Sequence, residues 1–383
     1  MNNTKWVSLW GNAVSQPVHH PERYAKDVTL RYIIMPTLDG EALRLTFTNY
    51  EGGETVSLQD VTVARTGKNE NEIDIDTLTA VTFGGSKLLT MESGETVLSD
   101  EIPFEVHRGE CFSVSFYVND FTEMGSGIST SGPLTKAWFA RGRYAAKAIL
   151  PLEEAKKFDN FYFLNTVDVL ASEKDHAIVA FGDSITQQSW PEQLTQRILE
   201  ENIGHVSVVR RAIGGSRVLR AYTNLENIHY GRKGLERFPQ ELGLTSGASA
   251  VVVLHGINDL IHPVDNHPFR NMGQLPDAET LEEGLRYYID AAHFHGVKIY
   301  LATIPPFGKW GSYSDEKEAI RCEVNEWIRT NDEADGFVDF AAILQDESHP
   351  NTAREDYNSG DGLHPSLTGA FYMAHAIPEE WMK

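Results

Sequence analysis

The sequence predicts two domains of different class: an all-β sandwich over residues 1–172, then an α/β domain on a parallel sheet over residues 173–383. Three observations carry this reading. Apolar and polar residues alternate with period two through the first ~170 residues, with turn-forming clusters in between. From Ser172-Glu173-Lys174-Asp175 onward, short uninterrupted apolar runs alternate with amphipathic helical patterns, the grammar of strands covered on both faces. The length, 383 residues, exceeds one ordinary domain and suits two.

In the first domain the alternating runs are Val28-Thr29-Leu30-Arg31-Tyr32-Ile33, Leu43-Arg44-Leu45-Thr46-Phe47-Thr48 and Cys111-Phe112-Ser113-Val114-Ser115-Phe116-Tyr117-Val118. Leu38-Asp39-Gly40, Glu51-Gly52-Gly53, Gly84-Gly85 and Arg108-Gly109 supply turns. Short half-buried strands at this spacing, with little helical pattern, predict a sandwich. Met124 to Gly132, rich in Gly, Ser and Thr, reads as a long mobile loop. In the second domain the predicted strands are Ala177–Phe181, Val206–Val209, Ala250–Leu254 and Val297–Leu301, with Phe337-Val338-Asp339-Phe340 as a fifth. Helices are predicted over Pro191–Leu199, Ala278–Phe294 and Asp315–Arg329. The sequence holds no internal repeat and no low-complexity tract.

Composition narrows the function classes. Hydrophobic residues make up 41% and charged residues 23%, enough apolar mass for real cores. Asp and Glu outnumber Lys and Arg by 55 to 33, a formal net charge of −22. Such a polyanion repels phosphate backbones, so nucleic acid and acidic membrane surfaces are poor partners. Two cysteines, Cys111 and Cys322, make neither a disulfide framework nor a zinc cluster. No run reaches the ~20 apolar residues of a membrane helix, and MNNTKWVSLWGNAVS lacks the basic and apolar regions of a leader. The expectation is a cytoplasmic protein, or a secreted one whose leader has been removed. The oligomeric state is left open.

Ligands of a doubly wound sheet bind beyond the C-terminal strand ends, and four segments at such places carry reactive groups. In Phe181-Gly182-Asp183-Ser184-Ile185-Thr186 a serine stands between a strand and a helix; it reads as a nucleophile or as a plain helix cap. In Ala212-Ile213-Gly214-Gly215-Ser216-Arg217 paired glycines permit a tight turn with its N–H groups turned into a cleft; most such pairs are only turns. In Leu254-His255-Gly256-Ile257-Asn258-Asp259 the Asn258 amide can donate to a developing oxyanion or make an Asx-turn. In Gly360-Asp361-Gly362-Leu363-His364-Pro365 an aspartate and a histidine three apart can hydrogen-bond and fix the imidazole; a surface pair is the commoner case.

Together and in this order, the four segments resemble the SGNH/GDSL hydrolase family over roughly Ile178 to the C-terminus. Ser184 in Gly-Asp-Ser-Ile-Thr matches the nucleophile block, Gly215 the second-block glycine, Asn258 the third-block asparagine, and Asp361 with His364 the last block. The second block departs: Arg210-Arg211-Ala212 stand where the family carries Asn-x-Gly. Arg321 to Gly336 and the opening Trp6-Val7-Ser8-Leu9-Trp10 further resemble a bacterial GDSL esterase subgroup with an N-terminal β-sandwich. The resemblance implies a flavodoxin-like three-layer catalytic domain preceded by a jelly-roll-like accessory domain. It also implies ester hydrolysis by a Ser184–His364–Asp361 triad. The expected substrates are small acyl esters, acetyl above all, and the sandwich domain, by fold-level analogy, suggests a carbohydrate as their carrier. The Ser184 and Gly215 amides and the Asn258 side chain would form the oxyanion hole, with no metal or cofactor. Alternative functions are a lysophospholipase or thioesterase, and a non-catalytic glycan binder.

Other residues are set aside. His262, His267, His293 and His295 lack the spacing of helical metal ligands. His255 and Asp259 read as structural, and Asp183 as a brace for the Ser184 turn. Trp190 and Trp310 are candidates for a sugar or acyl platform and equally for packing. No Gly-x-Ser-x-Gly elbow occurs, which disfavours an α/β-hydrolase.

Overall fold

The computed structural model describes residues 3–17 and 23–383. The first two residues of the N-terminal stretch read above, and residues 18–22 of the first domain, lie outside these. The chain divides into two compact units, Met1–His176 with Gly204–Ser207, and Ala177–Ile203 with Val208–Lys383.

The first unit is rich in antiparallel strands. Its larger sheet has seven strands. Six run in the order Ala155–Phe158, Ala137–Arg141, Val28–Ile34, Phe112–Val118, Val56–Arg65, Thr79–Ala80, and Leu89–Met91 joins Val56–Arg65. A four-stranded sheet runs Thr4–Gly11, Leu164–Ser172, Leu43–Thr48, Thr96–Leu98. Phe47 of the smaller sheet meets Phe116 of the larger edge to face at 5.6 Å, and both rings are buried.

Leu43–Thr48 largely keeps the expected alternation of buried and half-buried positions. Val28–Ile34 and Phe112–Val118 do not: every residue in both is buried. The row expected to face water lies beneath residues 142–150. Arg31 is 0% exposed and donates to Ser115 Oγ and to the carbonyls of Asn71, Tyr144 and Lys147. Burial lowers its guanidinium to a pKa of about 10. Ile33, Trp138, Ala140, Leu150 and Ala155 form an apolar cluster. The stretch Met124–Gly132 is likewise not a mobile loop. Gly127–Ser129 pairs with Asn160–Tyr162, and Met124, Ser126, Ile128 and Thr130 are buried.

The second unit carries a five-stranded parallel sheet. Its strands, in chain order, are His176–Gly182, Val206–Ala212, Ala248–Leu254, Lys298–Ala302 and Gly336–Val338. In space the second lies outside the first, and the rest follow in sequence. The helices are α1 (Ser184–Gln187), α2 (Trp190–Glu200), α3 (Gly234–Gly243), α4 (Ile257–Ile261), α5 (Ala278–Phe294), α6 (Asp315–Thr330), α7 (Phe340–Leu344) and α8 (Leu367–Ala376). α8 packs on α2 and α7, while α5 packs on α3 and α6. All seven residues of the first strand are buried, which requires cover on both sheet faces.

This strand order places the switch point between the first and third strands, where a crevice opens beyond their C-terminal ends. Ser184 follows the first strand and Asn258 the third. Among the described residues no helix is long and apolar enough to cross a membrane.

Candidate active site

The turn after the first strand is shaped by close approach. A Cβ on Gly182 would come 2.1 Å from the Leu254 carbonyl oxygen of the neighbouring strand, so only glycine fits. Asp183 then caps α1, its Oδ1 accepting from the Ile185 amide at 3.1 Å, and Ser184 stands half-buried at the first helical position. Asp183 is wholly buried, and among the described residues its Oδ2 has no hydrogen-bond partner. Burial, reinforced by Asp259, raises its carboxyl to a pKa of about 7 despite the Ile185 amide and Arg237.

His364 reaches Ser184 from the turn that precedes α8. Its Nε2 lies 2.8 Å from Ser184 Oγ and its Nδ1 lies 2.6 Å from Asp361 Oδ2. Asp361 Oδ1 accepts from the Leu363 and His364 amides, both at 2.9 Å. Burial pushes the Asp361 carboxyl up, but the His364 hydrogen bond and these two amides outweigh it and hold the carboxyl below its ordinary value. An ionised Asp361 accepts a hydrogen bond from Nδ1–H, which leaves Nε2 as the acceptor facing the serine hydroxyl.

The turn itself is held by Asn358, which sequence reasoning passed over. Its Oδ1 accepts from the Gly360 and Gly362 amides and its Nδ2 donates to the His364 carbonyl. The Asn-x-Gly pattern, a turn signal, could have revealed it.

Gly214 and Gly215 lie beyond the second strand. Gly215 has φ +77°, a left-handed conformation that suits glycine. Among the described residues the amides of Gly214 and Gly215 donate to no other group. Side chains crowd both: an added Cβ would meet Gln187 Oε1 at 2.4 Å on Gly214 and the Tyr230 ring at 2.0 Å on Gly215. The Gly215 carbonyl accepts from Tyr222 OH at 2.9 Å. Tyr222 also bonds His262 Nδ1, and the Tyr230 ring stacks on His262. Burial depresses His262 to a pKa of about 3, with Arg270 and Arg217 adding to it, so this network is neutral.

Asn258 is buried, and its Nδ2 donates to the Ser216 carbonyl at 3.0 Å. One of its two amide hydrogens is thereby fixed and the other remains to donate. His255 Nε2 lies 3.1 Å from Ser216 Oγ and its Nδ1 3.0 Å from Tyr288 OH. Burial, then Arg237, lowers its pKa to about 3. Asp259 accepts from the Val218 and Leu219 amides. Both residues thus fix the loop after the glycines, the structural part expected of them.

The departure at Arg210-Arg211-Ala212 has a local reason. Arg210 donates to the carbonyls of Gln187 and Gln188 at the end of α1 and pairs with Glu192 at 3.3 Å. Arg211 pairs with Glu241 of α3. Of the two tryptophans, Trp190 is 0% exposed and packs on Phe340, which removes it as a platform. Trp310 is half-buried and stands edge to face against His364 at 6.1 Å. Among the described residues no group of three or more His, Cys, Asp or Glu side chains could hold a metal ion.

Residues 180–370 match the GDSL-like lipase/acylhydrolase family. Solved structures similar to the chain include a GDSL-like lipase of Bacteroides thetaiotaomicron (17% identity, 55% of this chain and 89% of that one, TM-score 0.40). Another is the lipase/acylhydrolase of Enterococcus faecalis (21% identity, 54% and 95%, TM-score 0.39). No curated protein matches the chain. The second half of this chain therefore belongs to the GDSL-like lipase/acylhydrolase family and is a carboxylic ester hydrolase.

Proposed function

We propose that the protein is a serine esterase for small acyl groups, acetyl foremost, working through Ser184, His364 and Asp361. The observation that carries this reading is the unbroken hydrogen-bond run Asp361–His364–Ser184, at 2.6 and 2.8 Å. A hydroxyl bonded to a neutral imidazole, itself oriented by a carboxylate, is an activated nucleophile.

Ser184 Oγ attacks the ester carbonyl carbon while His364 Nε2 takes its proton. Asp361 stabilises the imidazolium that results. The amides of Ser184 and Gly215 and the free hydrogen of Asn258 Nδ2 receive the oxyanion. Collapse expels the alcohol, which takes the proton back from His364, and leaves the acyl group on Ser184. Water, deprotonated by His364, releases the acid.

The crowding of Gly214 by Gln187 and of Gly215 by Tyr230 supports a short acyl chain. The half-buried Trp310 ring beside His364 offers a flat apolar face to a sugar alcohol. On this reading residues 173–383 are the flavodoxin-like three-layer catalytic domain, and residues 1–172 a β-sandwich accessory domain; the Phe47–Phe116 contact between its sheets supports the latter.

The test is turnover of p-nitrophenyl acetate, butyrate and octanoate by wild type and Ser184→Ala. Acetate should be preferred, and the variant should lose about three or more orders of magnitude in kcat while its circular dichroism is unchanged. Near-normal turnover by Ser184→Ala would sink the triad. A preference for octanoate would favour the lysophospholipase or thioesterase alternative.

A further inference from the structure

The antiparallel unit holds a cavity of about 650 Å³ that ester hydrolysis at Ser184 leaves unused. It lies on one face of the larger sheet, near its edge. Strand register sets Val28 beside Arg141, Leu30 beside Phe139, Phe139 beside Lys156, and Ala137 beside Phe158. Side chains of paired residues share a sheet face, so this face alternates rings with cations. Phe139 and Phe158 meet at 6.3 Å edge to face, and Phe158 stacks near Tyr162 at 6.4 Å. The rings hold one another as a floor.

The rim is positive. Lys26, Arg141 and Lys156 are exposed, and among the described residues none of the three enters an ion pair or a side-chain hydrogen bond. Lys157 also lines the cavity but is tied to Glu70 at 2.6 Å. Among the described residues no carboxylate lines it, in a chain with 55 acidic residues against 33 basic ones. Cations left unpaired against that background are placed for an anion from solution. Asn160, buried among the lining residues, gives its Nδ2 to Asp159 at 3.3 Å, and its side-chain carbonyl can accept from a hydroxyl.

Flat rings, free cations and an amide together suit a ring-shaped ligand with an apolar face, hydroxyls and a negative charge. A fatty acyl chain would want an apolar sleeve, which the cations on this face interrupt. We infer that this cavity binds a carboxylated sugar unit of an acidic glycan. The inference is independent of the esterase reading.

The test is calorimetric titration of the full chain with trigalacturonate and with neutral xylotriose, repeated on an Arg141→Ala/Lys156→Ala variant. Trigalacturonate should bind and xylotriose should not. The variant should bind about tenfold or more weakly, and raising the salt from about 0.05 to about 0.5 M should weaken the wild-type complex. An unchanged circular dichroism spectrum and an unchanged urea unfolding curve show that the variant is folded. The inference is overturned by absence of trigalacturonate binding at millimolar concentration, by equal binding of xylotriose, or by an unaltered affinity in the variant.

Discussion

Asp183 is the residue whose surroundings most oppose its ordinary chemistry. It stands next to the proposed nucleophile, and a proton on it keeps a second negative charge away from the oxyanion. Its carboxyl titrates near pH 7 in the fold, because of burial first, against an ordinary 3.8. Between about pH 4 and pH 7 the folded state holds a proton that the unfolded state has lost, so stability falls as pH rises through that window and levels off above it. Asp183→Asn keeps the cap acceptor and cannot ionise. Relative to wild type, the variant should be more stable at pH 8 than at pH 4, the difference on the order of a few kcal/mol. Urea unfolding at the two pH values measures this; an equal loss of stability at both would show that Asp183 is ionised throughout. Asn258 is the second test at this scale. A donor that matters only once charge builds on the carbonyl oxygen lowers kcat and spares KM. Asn258→Ala should therefore reduce kcat by about 10²–10³ in steady-state kinetics, and a change confined to KM would remove Asn258 from the oxyanion hole.

At the scale of elements, the turn bearing Asp361 and His364 depends on Asn358, whose side chain makes three hydrogen bonds to its backbone. Asn358→Ala should cost about 1–3 kcal/mol of stability and lower kcat, because His364 loses its fixed distance to Ser184. Thermal unfolding and kinetics read the two effects separately; full activity with lowered stability would show that the turn keeps its shape without this residue. Buried Arg31 is the counterpart in the antiparallel unit. Arg31→Ala leaves carbonyls at Asn71, Tyr144 and Lys147 without their donor and should destabilise by about 3–5 kcal/mol, measured by chemical unfolding.

These elements also show what was legible in the sequence. Ala278–Phe294 and Asp315–Thr330 carry a helical period together with capping by Asp277 and Ser314, and both were readable almost to the residue. α3 was not, because glycines stand at both its ends and Pro239 within it. The period-two pattern of Val28–Ile34 located the strand but predicted a wet face. A chain segment from 142 to 150 covers that face, and such long-range cover leaves no local signature. At the candidate site Ser184, the paired glycines and Asn258 were legible because they follow strand ends. Asp361 and His364, expected at such an end too, do not follow a strand but lie in the connection between α7 and α8, and only their spacing of three gave them away. Asn358, Tyr222 and Tyr230 were not, since they act by holding other groups in place.

At the scale of the whole molecule the two units carry separate chemistries. The parallel-sheet unit is an ester hydrolase of the GDSL-like family, and the antiparallel unit offers a ringed, cationic cavity in an otherwise strongly acidic chain. Each stands or falls by its own experiment. The central claim is that His364 and Asp361 make Ser184 the one activated hydroxyl. A fluorophosphonate, which phosphonylates activated serines, tests it most directly when intact mass and peptide mapping are followed in time. Wild type should gain a single adduct on the peptide containing Ser184, Ser184→Ala none, and His364→Ala an adduct only at a rate lower by about 10³ or more. An adduct on another residue, or equal labelling of wild type and His364→Ala, would contradict the account.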